Sequence, residues 1–110
     1  MIANQLRIEQ HINLLSQYTA TPEAGVTRLT YSKEDLEARN YIKDMMRNYN
    51  LTVSEDGLGN IFGKLEGLDP SAPSVIVGSH FDSVPNGGAY DGAAGVVVGL
   101  EVAALFQEQQ

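Results

Sequence analysis

Apolar positions recur along this chain with more than one period, and each period predicts a different element. Over residues 2–18, Ile8, Ile12 and Leu15 fall at helical spacing, and Leu14 and Tyr18 widen the stripe into an amphipathic helix. Residues 19–31, TATPEAGVTRLTY, mix Thr, Pro and Gly and read as an irregular connection. Ser32 precedes Asp35 by capping-box spacing, and Glu34 adds a second acid to the first turn. A helix over 33–49 follows, with Ala38, Tyr41, Ile42, Met45, Met46 and Tyr49 as its apolar stripe.

Beyond residue 50 the helical period is lost. Leu51–Ser54 and Asn60–Leu65 are short β-favouring runs, and the EDGLG between them is a turn signal, so a hairpin is expected. GLDPSAP at 67–73 is a loop, because Pro70 and Pro73 block continuation of either neighbour. SVIVGSHF at 74–81 is nearly unbroken in apolar character, the pattern of a strand buried on both faces. Residues 82–90 form a loop with Pro85 and Gly87-Gly88. Asp91 then opens a helix of small residues to the chain end. The order of elements is α/β, without an internal domain boundary. A doubly buried strand needs more neighbours than one hairpin supplies, so the chain reads as the opening part of a larger sheet domain.

Composition narrows the function classes. Seven basic against fourteen acidic residues give a net charge of −7, which argues against nucleic acid and anionic membrane surfaces as partners. The absence of Cys excludes disulfides, thiolate metal sites and Cys nucleophiles. No basic start followed by an apolar run suggests a signal peptide, and the longest uncharged apolar stretch, Gly92–Leu100, is far below a membrane span. The expected location is the cytoplasm.

The chemistry concentrates in GSHFDSVPNGGAYDGAAG, residues 78–95. On a strand, His80 and Asp82 point the same way. A carboxylate beside an imidazole fixes its tautomer and frees the other nitrogen for a metal, although a core histidine beside a capping Asp would share this spacing. Ser79, adjacent to His80, points to the opposite face, which rejects a Ser-His-Asp nucleophilic triad. Asp91, at the start of the last helix, suits an N-cap and equally a carboxylate bridging two cations. The GLGNIFG run at 57–63 has the wrong spacing and context for a dinucleotide fingerprint. Gly95 and Gly99 suit close approach of the last helix to the sheet, and His11 reads as a surface residue of the first helix.

GSHFDSVPNGGAYDGAAGVVVGLEV resembles the metal-binding segment of the aminoacylase/carboxypeptidase superfamily of two-metal hydrolases. Together with GVTRLTYSKEDLEARNYIKDMM, the hairpin D-G-x-G-N-x-F-G and DPSAPSVIVGSHFDSVPNGG, it is most similar to the hydantoinase/carbamoylase amidase family. That family holds N-carbamoyl-L-amino-acid hydrolases, allantoate amidohydrolases and β-ureidopropionases, and the resemblance covers residues 20–106. It implies the N-terminal part of a mixed-sheet, helix-covered, exopeptidase-like (phosphorylase/hydrolase-like) catalytic domain over residues 1–110, with the lid and dimerisation domain absent from the chain.

The resemblance makes His80 the ligand of one metal and Asp91 the ligand bridging two. Asp82, counted with the catalytic residues, resembles the carboxylate that orients His80. The departures, Phe81, Ser83 and Ala89, remove no ligand. Two divalent cations are implied, zinc, manganese, cobalt or nickel. The family's Glu pair, further His ligands and substrate-binding residues have no counterpart here, so an inactive fragment of a longer, homodimeric enzyme is expected. A ureido or N-carbamoyl amino acid is the implied substrate. A peptidase or aminoacylase of the same superfamily, and a non-catalytic interaction module, are the alternatives.

Overall fold

Polar side chains at the helix starts decide where the first two helices begin. In the computed structural model, which describes residues 1–109, helix α1 (Gln5–Ser16) starts where the Asn4 side chain accepts the Arg7 N–H at 3.1 Å. Helix α2 (Lys33–Asn48) starts at Ser32, whose Oγ accepts the Asp35 N–H at 3.1 Å, as the spacing predicts. The Asp35 carboxylate does not close a capping box. It accepts instead from the Tyr31 N–H at 3.3 Å, holding Tyr31 at a left-handed φ of 68°. The expected hairpin is present. Strands β1 (Thr52–Glu55) and β2 (Ile61–Lys64) run antiparallel, with Thr52 opposite Lys64 and Glu55 opposite Ile61. Asp56 closes the turn by accepting the Leu58 and Asn60 N–H groups at 3.0 and 2.9 Å. Helix α3 (Ala93–Glu108) is the last of the described elements.

The core lies among the helices. Leu15 of α1, Ala38 and Ile42 of α2, and Ala93 and Val97 of α3 form one buried cluster. Each large aliphatic side chain buried there stabilises the fold by about 1.5–3 kcal/mol. Polar contacts seal the seams. Arg7 of α1 meets Glu101 of α3 through two bonds, Nε to Oε2 at 2.7 Å and Nη2 to Oε1 at 2.9 Å, and also pairs with Glu108. Arg7 holds the Glu101 carboxyl below its ordinary range.

His11 is buried, not exposed as its lone position suggests. Its Nδ1 meets the Tyr41 hydroxyl at 2.5 Å and its Nε2 the Tyr49 hydroxyl at 2.8 Å. Burial lowers the imidazole's pKa and pushes the Tyr41 phenol up to about 12. A neutral imidazole has one donor and one acceptor, so it can serve both hydroxyls at once. This polar bridge joins α1 to α2 where apolar packing alone was expected.

The segment expected as a buried strand, 74–81, differs most from its sequence pattern. It has no strand pairing, and Val75, Ile76 and Val77 are exposed. Apolar character marks a segment that can be buried, but a strand exists only when a neighbour takes up its backbone hydrogen bonds. Its later half instead lies along α3. A Cβ on Gly95 would collide with the Ser79 side chain, and one on Gly99 would reach Val77 at 3.8 Å. The small residues of α3 thus give close approach to this segment rather than to a sheet. Val98, Val102 and Phe106 of α3 are also open to solvent. None of the described helices is long and apolar enough to cross a membrane.

Candidate functional site

Residues 26–30, read from sequence as an irregular connection, are the template on which the site is assembled. Val26 and Gly87 exchange N–H···O bonds of 2.8 and 2.7 Å in an antiparallel bridge. The Arg28 N–H donates to Ser83 Oγ at 2.8 Å, and the Ser83 N–H donates to the Arg28 carbonyl at 2.8 Å. The Arg28 side chain is buried, and its guanidinium donates to the carbonyls of Phe81 (2.7 Å), Leu15 (2.8 Å) and Tyr18 (2.9 Å). The Arg39 guanidinium lies 5.2 Å from the centre of the Phe81 ring. Phe81 is therefore held by its carbonyl and its ring, which fixes the backbone between His80 and Asp82.

His80 and Asp82 lie on one side, although the segment is not the strand from which this was expected. His80 Nδ1 is 3.0 Å from Asp82 Oδ1 and 3.1 Å from the Asp82 carbonyl oxygen. His80 Nε2 is 3.3 Å from Asp91 Oδ1. Ser79 faces Gly95 of α3, away from this cluster. Asp91 is not the helix cap. Gly92 is, at φ 69°, and no side chain caps α3, which leaves the Asp91 carboxylate to face His80. Gly92 serves a second need, because a Cβ there would collide with the imidazole lying against it. His80, Asp82, Ser83, Val84, Gly87 and Asp91 line an open recess of about 120 Å³.

The imidazole stands between acceptors on both sides. Two oxygens surround Nδ1, so Nδ1 carries a proton. A neutral ring has only that one N–H, yet Nε2 also faces a carboxylate. A cation between Nε2 and the Asp91 carboxylate would satisfy both. Two ligand atoms about 2.0–2.2 Å from one tetrahedral cation stand roughly 3.3–3.5 Å apart, and the Nε2–Oδ1 distance of 3.3 Å fits. The donor set, one imidazole nitrogen and one carboxylate, suits a borderline divalent ion. Among the described residues, no group of three or more His, Cys, Asp or Glu side chains forms a complete cation cage.

Sequence reasoning missed Arg28 and Thr30. The signal for both lies in Val26-Thr-Arg-Leu-Thr30, where two-residue alternation places Val26, Arg28 and Thr30 on one side of an extended segment. The Thr30 hydroxyl donates to Asp82 Oδ2 at 3.2 Å.

The model of Peptidase family M28 matches residues 60–110. An N-carbamoyl-L-amino-acid amidohydrolase of Paenarthrobacter aurescens is 52% identical over 102 residues, 93% of this chain and 24% of that protein. A ureidoglycolate hydrolase of Arabidopsis thaliana is 45% identical over 94 residues, 86% of this chain and 20% of that protein. The crystal structure of a hydantoinase/carbamoylase family amidase from Burkholderia ambifaria superposes with a TM-score of 0.92 at 34% identity, covering 97% of this chain and 26% of that one. The chain thus spans about a quarter or less of the length of these relatives.

Proposed function

We infer that this chain, which is similar in sequence and backbone to about a quarter of an N-carbamoyl-L-amino-acid amidohydrolase and of a hydantoinase/carbamoylase family amidase, is the metal-binding segment of an amidohydrolase. The reaction is hydrolysis of a ureido C–N bond in an N-carbamoyl-L-amino acid or a related ureido acid such as allantoate or ureidopropionate. For an N-carbamoyl amino acid, one water is consumed, and amino acid, carbon dioxide and ammonia are released. The observation that carries this reading is the His80 imidazole held between the Asp82 and Asp91 carboxylates.

His80, through Nε2, and Asp91 would hold divalent cations, zinc, manganese, cobalt or nickel. Bound there, such ions supply Lewis-acid polarisation and a lowered water pKa. Asp82 keeps the Nδ1 proton in place and so presents the Nε2 lone pair to the recess. Arg28 and Arg39 hold the Phe81 backbone and ring, which keeps His80 from turning away. Gly92 gives the ring room against the start of α3. Catalytic zinc sites take three protein ligands, and this chain offers two, so the remaining ligands and the general base belong to the rest of the proposed enzyme. The 110 residues alone are then inactive, the whole enzyme is a homodimer, and its place is the cytoplasm.

The test is ammonia release by the whole protein from N-carbamoyl-L-amino acids, allantoate and ureidoglycolate, beside a dipeptide panel. Ureido substrates are expected to turn over. Stripping the cations with a chelator should cost more than the roughly 10–100-fold typical of losing a partner of one ligand, and zinc or manganese should restore the rate. Cleavage of dipeptides alone would overturn the ureido reading and favour a peptidase, the second reading that the match to Peptidase family M28 supports.

A further inference from the structure

We propose that Thr30 is a positioning residue for this site, acting through Asp82 on the His80 imidazole; the proposal rests on the metal reading above. Asp82 has two carboxylate oxygens with separate duties. Oδ1 faces His80 Nδ1 at 3.0 Å, and Oδ2 accepts the Thr30 hydroxyl at 3.2 Å. A carboxylate held at one oxygen can still pivot about its Cβ–Cγ bond. Held at both, it keeps Oδ1 aimed at His80 Nδ1 and so steadies the orientation of the ring.

The hydroxyl is itself placed by a fixed backbone. At one end of its segment, Val26 is bridged to Gly87, and Arg28 exchanges hydrogen bonds with Ser83. At the other end, Tyr31 is held in its left-handed turn, its N–H on the Asp35 carboxylate and its hydroxyl donating to the Leu58 carbonyl at 3.1 Å. Thr30 therefore has its position set from both sides, and Asp82 adapts to it. The Thr30 side chain is exposed and makes no core contact, so its hydroxyl is not needed for burial.

Thr30→Val removes the hydroxyl and keeps the shape. In crystals of the metal-free whole protein, Thr30→Val should release the Asp82 carboxylate from the orientation that puts Oδ1 on His80 Nδ1, and Thr30→Ser should restore it. Zinc affinity, read by competition with a chromophoric chelator, should weaken by about 10-fold in Thr30→Val and recover in Thr30→Ser. Thermal unfolding of all three proteins should coincide. An Asp82 carboxylate that keeps the wild-type orientation in Thr30→Val would overturn the positioning role, whether or not zinc binds. A wild-type protein that ignores micromolar zinc would overturn the metal reading alone, and the comparison of Asp82 orientations would still judge Thr30.

Discussion

Asp91→Ala is expected to lower hydrolysis by the whole protein about 1,000-fold or more while leaving its thermal unfolding unchanged. The two halves of this result have separate causes. Polarisation by a bound cation is worth several kcal/mol of transition-state stabilisation, and about 4 kcal/mol corresponds to roughly 1,000-fold in rate. Stability should be spared because the Asp91 side chain is 74% exposed and does not cap α3, whose N-cap is Gly92. Had Asp91 been the cap, its loss would cost about 1 kcal/mol and show as a lower Tm. Steady-state kinetics and calorimetry on one preparation separate the two roles. Retention of more than about a tenth of the wild-type rate would remove Asp91 from the cation site.

Arg28→Met is expected to have the largest effect on stability, about 3 kcal/mol. The buried guanidinium serves the carbonyls of Phe81, Leu15 and Tyr18. Methionine fills much of the volume but donates nothing. An orphaned buried acceptor costs about 1–3 kcal/mol; the Phe81 and Tyr18 contacts are only partly buried and the Leu15 carbonyl also accepts the Tyr18 N–H at 3.2 Å, so each should contribute toward the low end. Against the roughly 5–15 kcal/mol that stabilises ordinary domains, this is a large fraction. Urea denaturation of wild type and variant gives the number. A change below about 1 kcal/mol would mean that water reaches these carbonyls and that Arg28 is not the staple of the site.

Elements governed by local signals were legible in the sequence. Ser32 capped α2, Ala38 and Ile42 faced the core, and the EDGLG turn closed the hairpin, because caps, helical periods and turn residues act within a few positions. Features that depend on distant partners were not. The run 74–81 has the composition of a buried strand, but no strand pairs with it. His11 shows no mark in sequence of Tyr41 and Tyr49, which lie 30 and 38 residues away. Arg28 sits in a stretch of Thr and Gly, and its burial depends on carbonyls from α1 and from the His80 segment. The site falls between these cases. His80 and Asp82 were expected on one side and are in contact, whereas it took Gly92, at positive φ, to show that Asp91 is not the cap of α3.

The most direct test of a cation site at His80 and Asp91 is anomalous diffraction from crystals of the whole protein loaded with zinc, collected on both sides of the zinc absorption edge. The account predicts an anomalous peak within coordination distance of both His80 Nε2 and Asp91, with Asp82 still on Nδ1. A peak elsewhere, with the His80 Nε2 left without a cation, would contradict it.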